Sequence, residues 1–234
     1  MATILNIETS TDVCSVALTS SGFILCHRED FEGPNHAAVL SDFIIYCMDY
    51  LREHDNMKLD AISVSLGPGS YTGLRIGMSE AKGLAYGLEI PLIGINTLNI
   101  LAVEAMFGLT DFNPDEDIII PMIDARRDEV YTASLNGVLD FIDEPYSCVL
   151  NPDSFKNKFE DKRLIFVGNG CKKAEKILSL EGREKVFLTE MKPLATTMCA
   201  LSEKCYNDKQ FIDVAYAVPF YLKEFQTTRP KRRI

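Results

Sequence analysis

Two stretches of the chain hold residue types that could do chemistry at fixed spacing. Glu8-Thr9-Ser10-Thr11 sets one carboxylate and three hydroxyls at the end of an apolar run. In a nucleotide-binding lobe such oxygens face phosphate and a magnesium ion, although the same residues equally describe a hydrogen-bonded β-turn. Residues 66–77, Leu-Gly-Pro-Gly-Ser-Tyr-Thr-Gly-Leu-Arg-Ile-Gly, are the most distinctive segment. They lack the lysine of a P-loop, and their glycines do not follow the spacing of a dinucleotide-binding turn. Physically they read as a strand-to-helix turn. Pro68 fixes φ, Gly67 and Gly69 allow backbone angles other residues resist, and Ser70 or Thr72 can cap the helix. The N–H groups at that helix start could take an anion, and a tight structural turn accounts for the same residues.

Other chemistries find little support. His27, His36 and His54 show no metal-ligand spacing, and the seven cysteines (14, 26, 47, 148, 171, 199 and 205) contain no Cys-x-x-Cys pair. Reduced, buried thiols are expected, with no metal. No Ser-His-Asp or Cys-His arrangement can be nominated, so no catalytic residue is assigned. The net charge of −10 over 234 residues argues against gripping nucleic acid unaided, since that affinity comes from neutralising phosphates. It also argues against docking on an anionic membrane. No apolar run approaches the roughly 18 residues of a membrane span. The first eight residues lack a basic region and meet Glu8 too early for a signal peptide, so a cytoplasmic location is expected.

The elements that must position these residues fall into two similar halves. Strands are predicted at 3–8, 13–18 and 23–26, a helix at 35–54, a strand at 61–66 and a helix at 72–88. A strand at 91–94 and a helix at 97–107 follow, then a polar linker at 108–117. The second half reads as strands at 117–123, 130–135 and 146–150, a short helix at 152–159 and a strand at 163–167. A Gly-Asn-Gly break precedes a helix at 171–180, a strand at 185–188 and a helix at 194–207. Residues 7–12 overlay residues 123–128 without a gap, an offset of 123 − 7 = 116. Asp124 thereby becomes the second half's counterpart of Glu8. Matching offset and matching order indicate duplication.

A duplicated βββαβα unit, an α/β arrangement with ribonuclease H-like topology, is the two-lobe plan of actin, Hsp70 and hexokinase. Residues 1–109 form the expected N-terminal lobe and carry the partner interface. Residues 110–234 form the C-terminal lobe, with the final segment packing back on the first. Proteins of this plan bind ATP between the lobes. The nucleotide- or phosphate-facing set is accordingly Glu8, Thr9, Ser10, Gly67, Gly69, Ser70, Thr72 and Asp124.

The first two long helices read as an interface. On the first, apolar residues including Leu40, Phe43 and Cys47 cover about 180° of the wheel, whereas packing on one sheet needs about 100°. On the second, Gly83 and Gly87 lie with Ile76 opposite the buried face, although each interior Gly costs about 1 kcal/mol relative to Ala. Close approach of another backbone would explain them. The basic tail Arg229-Pro230-Lys231-Arg232-Arg233 could touch a nucleic acid or an acidic partner, or remain a solvated terminus.

Four segments in order carry a resemblance to a known family. They are residues 4–11, residues 67–77, Ile123-Asp124-Ala125-Arg126-Arg127-Asp128-Glu129-Val130-Tyr131 and Pro219-Phe220-Tyr221-Leu222. Together they resemble the TsaB (YeaZ) family over nearly the whole chain. Glu8 stands where that family usually has Asp, and Lys223 where it has Arg. The resemblance implies a non-catalytic subunit required for threonylcarbamoyl transfer to N6 of the adenine next to the anticodon. The tRNAs concerned read codons that begin with A. It implies work through a complex with the catalytic relative TsaD and the ATPase TsaE. The helices named above would form the contact with TsaD, or a homodimer when TsaD is absent. TsaD holds a metal through a His-x-x-x-His pair, and Thr97 and Leu101 stand at the matching positions here. No metal or tightly bound cofactor is therefore expected, with ATP or ADP only within the assembled complex, tRNA contact mostly through that complex, and no membrane partner. The alternatives are a stand-alone ATPase or kinase-like enzyme and a peptidase acting on a partner.

Overall fold

The computed structural model describes residues 2–33, 35–54 and 57–223; the basic cluster at 229–233 lies outside them. The first half runs β1 (Thr3–Glu8), β2 (Cys14–Ser20), β3 (Phe23–Asp30), α1 (His36–Glu53), β4 (Ala61–Gly67), α2 (Tyr71–Leu88), β5 (Leu92–Asn96) and α3 (Thr97–Gly108). The second runs β6 (Asp117–Asp124), β7 (Glu129–Leu135), β8 (Phe141–Val149), β9 (Arg163–Val167), α4 (Cys171–Ile177), β10 (Lys185–Leu188) and α5 (Cys199–Asn207). Each half folds its strands into one five-stranded sheet. The orders are β3-β2-β1-β4-β5 and, read from the other edge, β8-β7-β6-β9-β10. The first three strands of each pair antiparallel, and the last two join parallel, through α1 and α2 in the first half and through the turns at 150–162 and α4 in the second. Both lobes thus share one topology.

The central strand β1 is buried at every position, as a strand covered on both faces must be. On one face α1 lays down Leu40, Ile44, Cys47 and Leu51, spaced one and two turns apart. Beside it α2 contributes Met78, Ala81 and Ala85. This corrects the interface set. Leu40 (1 % exposed) and Cys47 (0 %) belong to the lobe's own core and present no surface to a partner. Phe43 and Ile76 are half-buried at its edge, whereas Gly83 and Gly87 face open space.

The other face shows an exchange of helices that the boundary at residue 109 does not anticipate. Helix α3 is buried nearly all round, and its Leu98, Leu101, Ala102 and Ala105 pack on the second lobe's Ile119, Ile165 and Val167. In return, Ala195 and Met198, in the turns leading into α5, pack on the first lobe's Ile4, Ile93 and Ile95. Each sheet is thus covered partly by a segment from the other half.

Three further differences have local causes. No helix forms at 152–159. There Phe155 and Phe159 adopt left-handed φ values of 65° and 55°, and the Arg183 guanidinium takes the carbonyls of Lys156, Lys158 and Phe159 that a helix would use internally. Helix α4 ends at Ile177 because the Ser179 N–H turns to the Pro152 carbonyl. The first residues of the helix expected at 194–207 are turns, and α5 starts at Cys199.

Candidate functional site

The first turn and the glycine-rich turn meet directly. Glu8, Thr9 and Ser10 are wholly buried, pointing into the protein instead of into a cleft. The Ser70 N–H, at the start of α2, donates to the Ser10 carbonyl at 2.6 Å. A Cβ on Gly69 would lie 2.2 Å from that carbonyl oxygen, and one on Gly73 would lie 2.1 Å from the Thr9 carbonyl oxygen. Gly77 faces the Thr9 hydroxyl at a comparable 2.2 Å. The missing side chains are therefore replaced by backbone of the same chain. Ser70 caps α2 through its hydroxyl, which accepts from the Gly73 N–H at 3.3 Å. The Ser70, Gly73 and Leu74 N–H groups at this helix start have acceptors within the protein, and Thr72 is exposed.

Two more groups complete this packing: His36, which sequence reasoning missed, and the final segment, which it expected to return to the first lobe. His36, buried at the start of α1, donates from Nε2 to the Thr11 carbonyl at 3.0 Å and lies beside Gly73. The segment 211–223 crosses back over the first lobe. Lys82 of α2 holds its carbonyls at Ala215 and Ala217, and the Phe220 N–H donates to the Leu66 carbonyl at 2.7 Å. The Phe220 carbonyl covers Gly67, whose φ of 107° suits glycine. The Pro219-Phe220-Tyr221-Leu222 motif was the available signal, but nothing in it says where the segment docks.

Burial governs the electrostatics. Desolvation pushes the Glu8 carboxyl up to about 7, against the lowering effect of the Ser10 N–H, which donates to Oε1 at 2.5 Å. Its Oε2 and the hydroxyls of Thr9 and Ser10 are buried without a hydrogen-bond partner among the described residues. Burial likewise pushes the Cys14 and Cys47 thiols up to about 12, and all seven cysteines are free.

The second lobe repeats the arrangement more openly. The Gly170 N–H donates to the Met122 carbonyl within β6, whereas the Ser70 N–H reaches Ser10 in the turn beyond β1. Asp124 is half-exposed and accepts from Lys173 Nζ at 2.8 Å, while its N–H donates to Asn169 Oδ1. Glu129 accepts from Ser147 and from Lys223 Nζ, which hold its carboxyl below the usual range. Between them Arg126 and Arg127 occupy left-handed φ values of 74° and 51°, each costing about 1–2 kcal/mol for a non-glycine residue. The structure brings Glu8, Thr9, Ser10, Gly69 and Ser70 together, with Gly67 beneath Phe220.

Between the lobes, Lys192 pairs with Asp12 at 2.8 Å and the Ala195 N–H donates to Ser15 Oγ at 2.8 Å. The hollow lined by Thr11, Asp12, Leu101, Asn169 and Lys192 is too narrow to admit a water molecule. At the outer face, α1 and α2 enclose a shallow groove of about 350 Å³ beside His36, Ser41, Arg75, Ile76 and Glu80. Thr97 and Leu101 are buried. Among the described residues no three His, Cys, Asp or Glu side chains cluster as metal ligands, and no helix is long and apolar enough to cross a membrane.

A duplicated lobe with paired strand-end turns defines a two-lobe actin-like protein, here with only a narrow hollow between its lobes. The family described as "TsaD: tRNA N6-adenosine threonylcarbamoyltransferase" matches residues 33–224. The chain is 30 % identical to the tRNA threonylcarbamoyladenosine biosynthesis protein TsaB of Escherichia coli, over 94 % of each chain. It is 28 % identical to that of Bacillus subtilis, again over 94 % of each. The solved structure of YeaZ from Pseudomonas aeruginosa superposes with a TM-score of 0.76 at 26 % identity, covering 95 % of this chain and 100 % of that one. The chain belongs to the TsaD family, in its TsaB (YeaZ) branch.

Proposed function

We propose that this chain serves threonylcarbamoyladenosine formation in tRNA as a non-catalytic subunit, acting in the cytoplasm through a complex with a TsaD-type transferase and a TsaE-type ATPase. The observation that carries the reading is the filling of the first lobe's phosphate turn by its own backbone. Gly69 and Gly73 sit against the Ser10 and Thr9 carbonyls, where a nucleotide-binding lobe keeps room for phosphate. A stand-alone ATPase or kinase-like enzyme would need that room, and a metal-dependent enzyme would need ligands where Thr97 and Leu101 stand. On this reading ATP or ADP is engaged only in the assembled complex. Contact with the transferase falls to the outer face of α2 and the rim of the α1–α2 groove, and a second copy of the chain occupies the same face when the transferase is absent. Tagged full-length chain is expected to retain a TsaD-type partner on purification and to hydrolyse ATP negligibly alone. Robust turnover by the isolated chain would overturn the non-catalytic assignment.

A further inference from the structure

We propose that the turn between β6 and β7 is a contact point for the RNA backbone, with Arg126 and Arg127 as the residues that meet its phosphates; this rests on the tRNA reading above. The backbone conformation is the first support. Both arginines sit at positive φ, a region that Asn-Gly accepts readily and arginine resists. A chain needing only the turn has better residues for it, so the arginines are kept for their side chains.

Charge is the second support. Both residues are exposed, and neither guanidinium has a hydrogen bond or ion pair among the described residues. The carboxylates flanking the turn, Asp124 and Glu129, are already paired with Lys173 and Lys223. Exposed Asp128 offsets one of the two arginine charges. What remains is an outward pair of guanidinium forks, the group whose planar donors match phosphate oxygens two at a time. A phosphodiester backbone presents such oxygens at every nucleotide. The chain as a whole carries a net charge of −10. The same net charge makes this a local, positioning contact and leaves most of the tRNA affinity to the complex.

The test uses complexes with a TsaD-type partner and compares the full-length chain with an Arg126→Asn, Arg127→Gly double variant and an Arg126→Lys, Arg127→Lys double variant. The probe is unmodified tRNA transcript, titrated from about 50 mM salt upward. The Asn-Gly variant is expected to melt about 2–4 °C higher, because the strain is relieved. It should bind tRNA about fivefold more weakly, with a logarithmic salt slope smaller by about one to two, while the lysine pair keeps the slope. Unchanged affinity and slope in the Asn-Gly variant, or no tRNA binding by the complex of the unaltered chain, overturns the proposal. A lower melting temperature assigns the arginines to the fold and also overturns it. The proposed function is judged separately. It stands if the unaltered chain restores threonylcarbamoyladenosine to depleted cells, even when the turn variant binds tRNA as well as the parent.

Discussion

Glu8 is the residue whose surroundings depart most from its chemistry, a carboxyl sealed at a strand end with one oxygen unpartnered. Its folded pKa of about 7 lies above the ordinary 4.5. Between those values the folded state binds a proton that the unfolded chain has released. Stability is therefore fully present below about 4.5 and is lost as pH rises to about 7, by on the order of 3 kcal/mol. A Glu8→Gln variant carries no such titration. Its melting temperature relative to the parent is expected to climb from about pH 5 and to level off above about pH 7; a constant difference would mean that burial does not raise the Glu8 pKa. At this scale the sequence is legible only in part. Ser70 was readable as a cap and Gly67 as a special backbone position. What fills the space beside Gly69 and Gly73 was not, because a glycine that admits a phosphate and one that admits a carbonyl look the same in a sequence.

The long helices α1, α2 and α3 are legible to within a residue or two, since each carries an apolar pattern sustained over several turns. The segment at 152–159 is not, because its fate is decided by Arg183, far along the chain. The apolar arc of α1 shows a similar limit. Periodicity reveals its width, but only packing shows that Leu40 and Cys47 belong to the sheet while Ile45 (53 % exposed) does not. On α2 the glycine pair is a cleaner probe of the partner face, as a Cβ at Gly83 or Gly87 would meet nothing within 4 Å. A Gly83→Leu, Gly87→Leu variant is expected to fold, with α2 gaining up to about 1 kcal/mol per site. It should lose the TsaD-type partner on size-exclusion chromatography. Retained binding would move the interface away from α2.

Across the whole molecule, duplication was legible from the offset of 116 residues and from the order of elements, and both sheets repeat it strand for strand. The exchange of α3 and the segment leading into α5 was not, because a helix that is apolar all round gives no sign of which sheet it serves. That exchange, with the Lys192–Asp12 pair and the segment returning over Gly67, ties the lobes together where a nucleotide-driven member of the fold opens and closes. The central claim is best tested in cells, by nucleoside mass spectrometry of bulk tRNA before and after depletion of this chain. The account predicts that threonylcarbamoyladenosine falls on depletion and returns when the chain is resupplied; an unchanged level in depleted cells would contradict it.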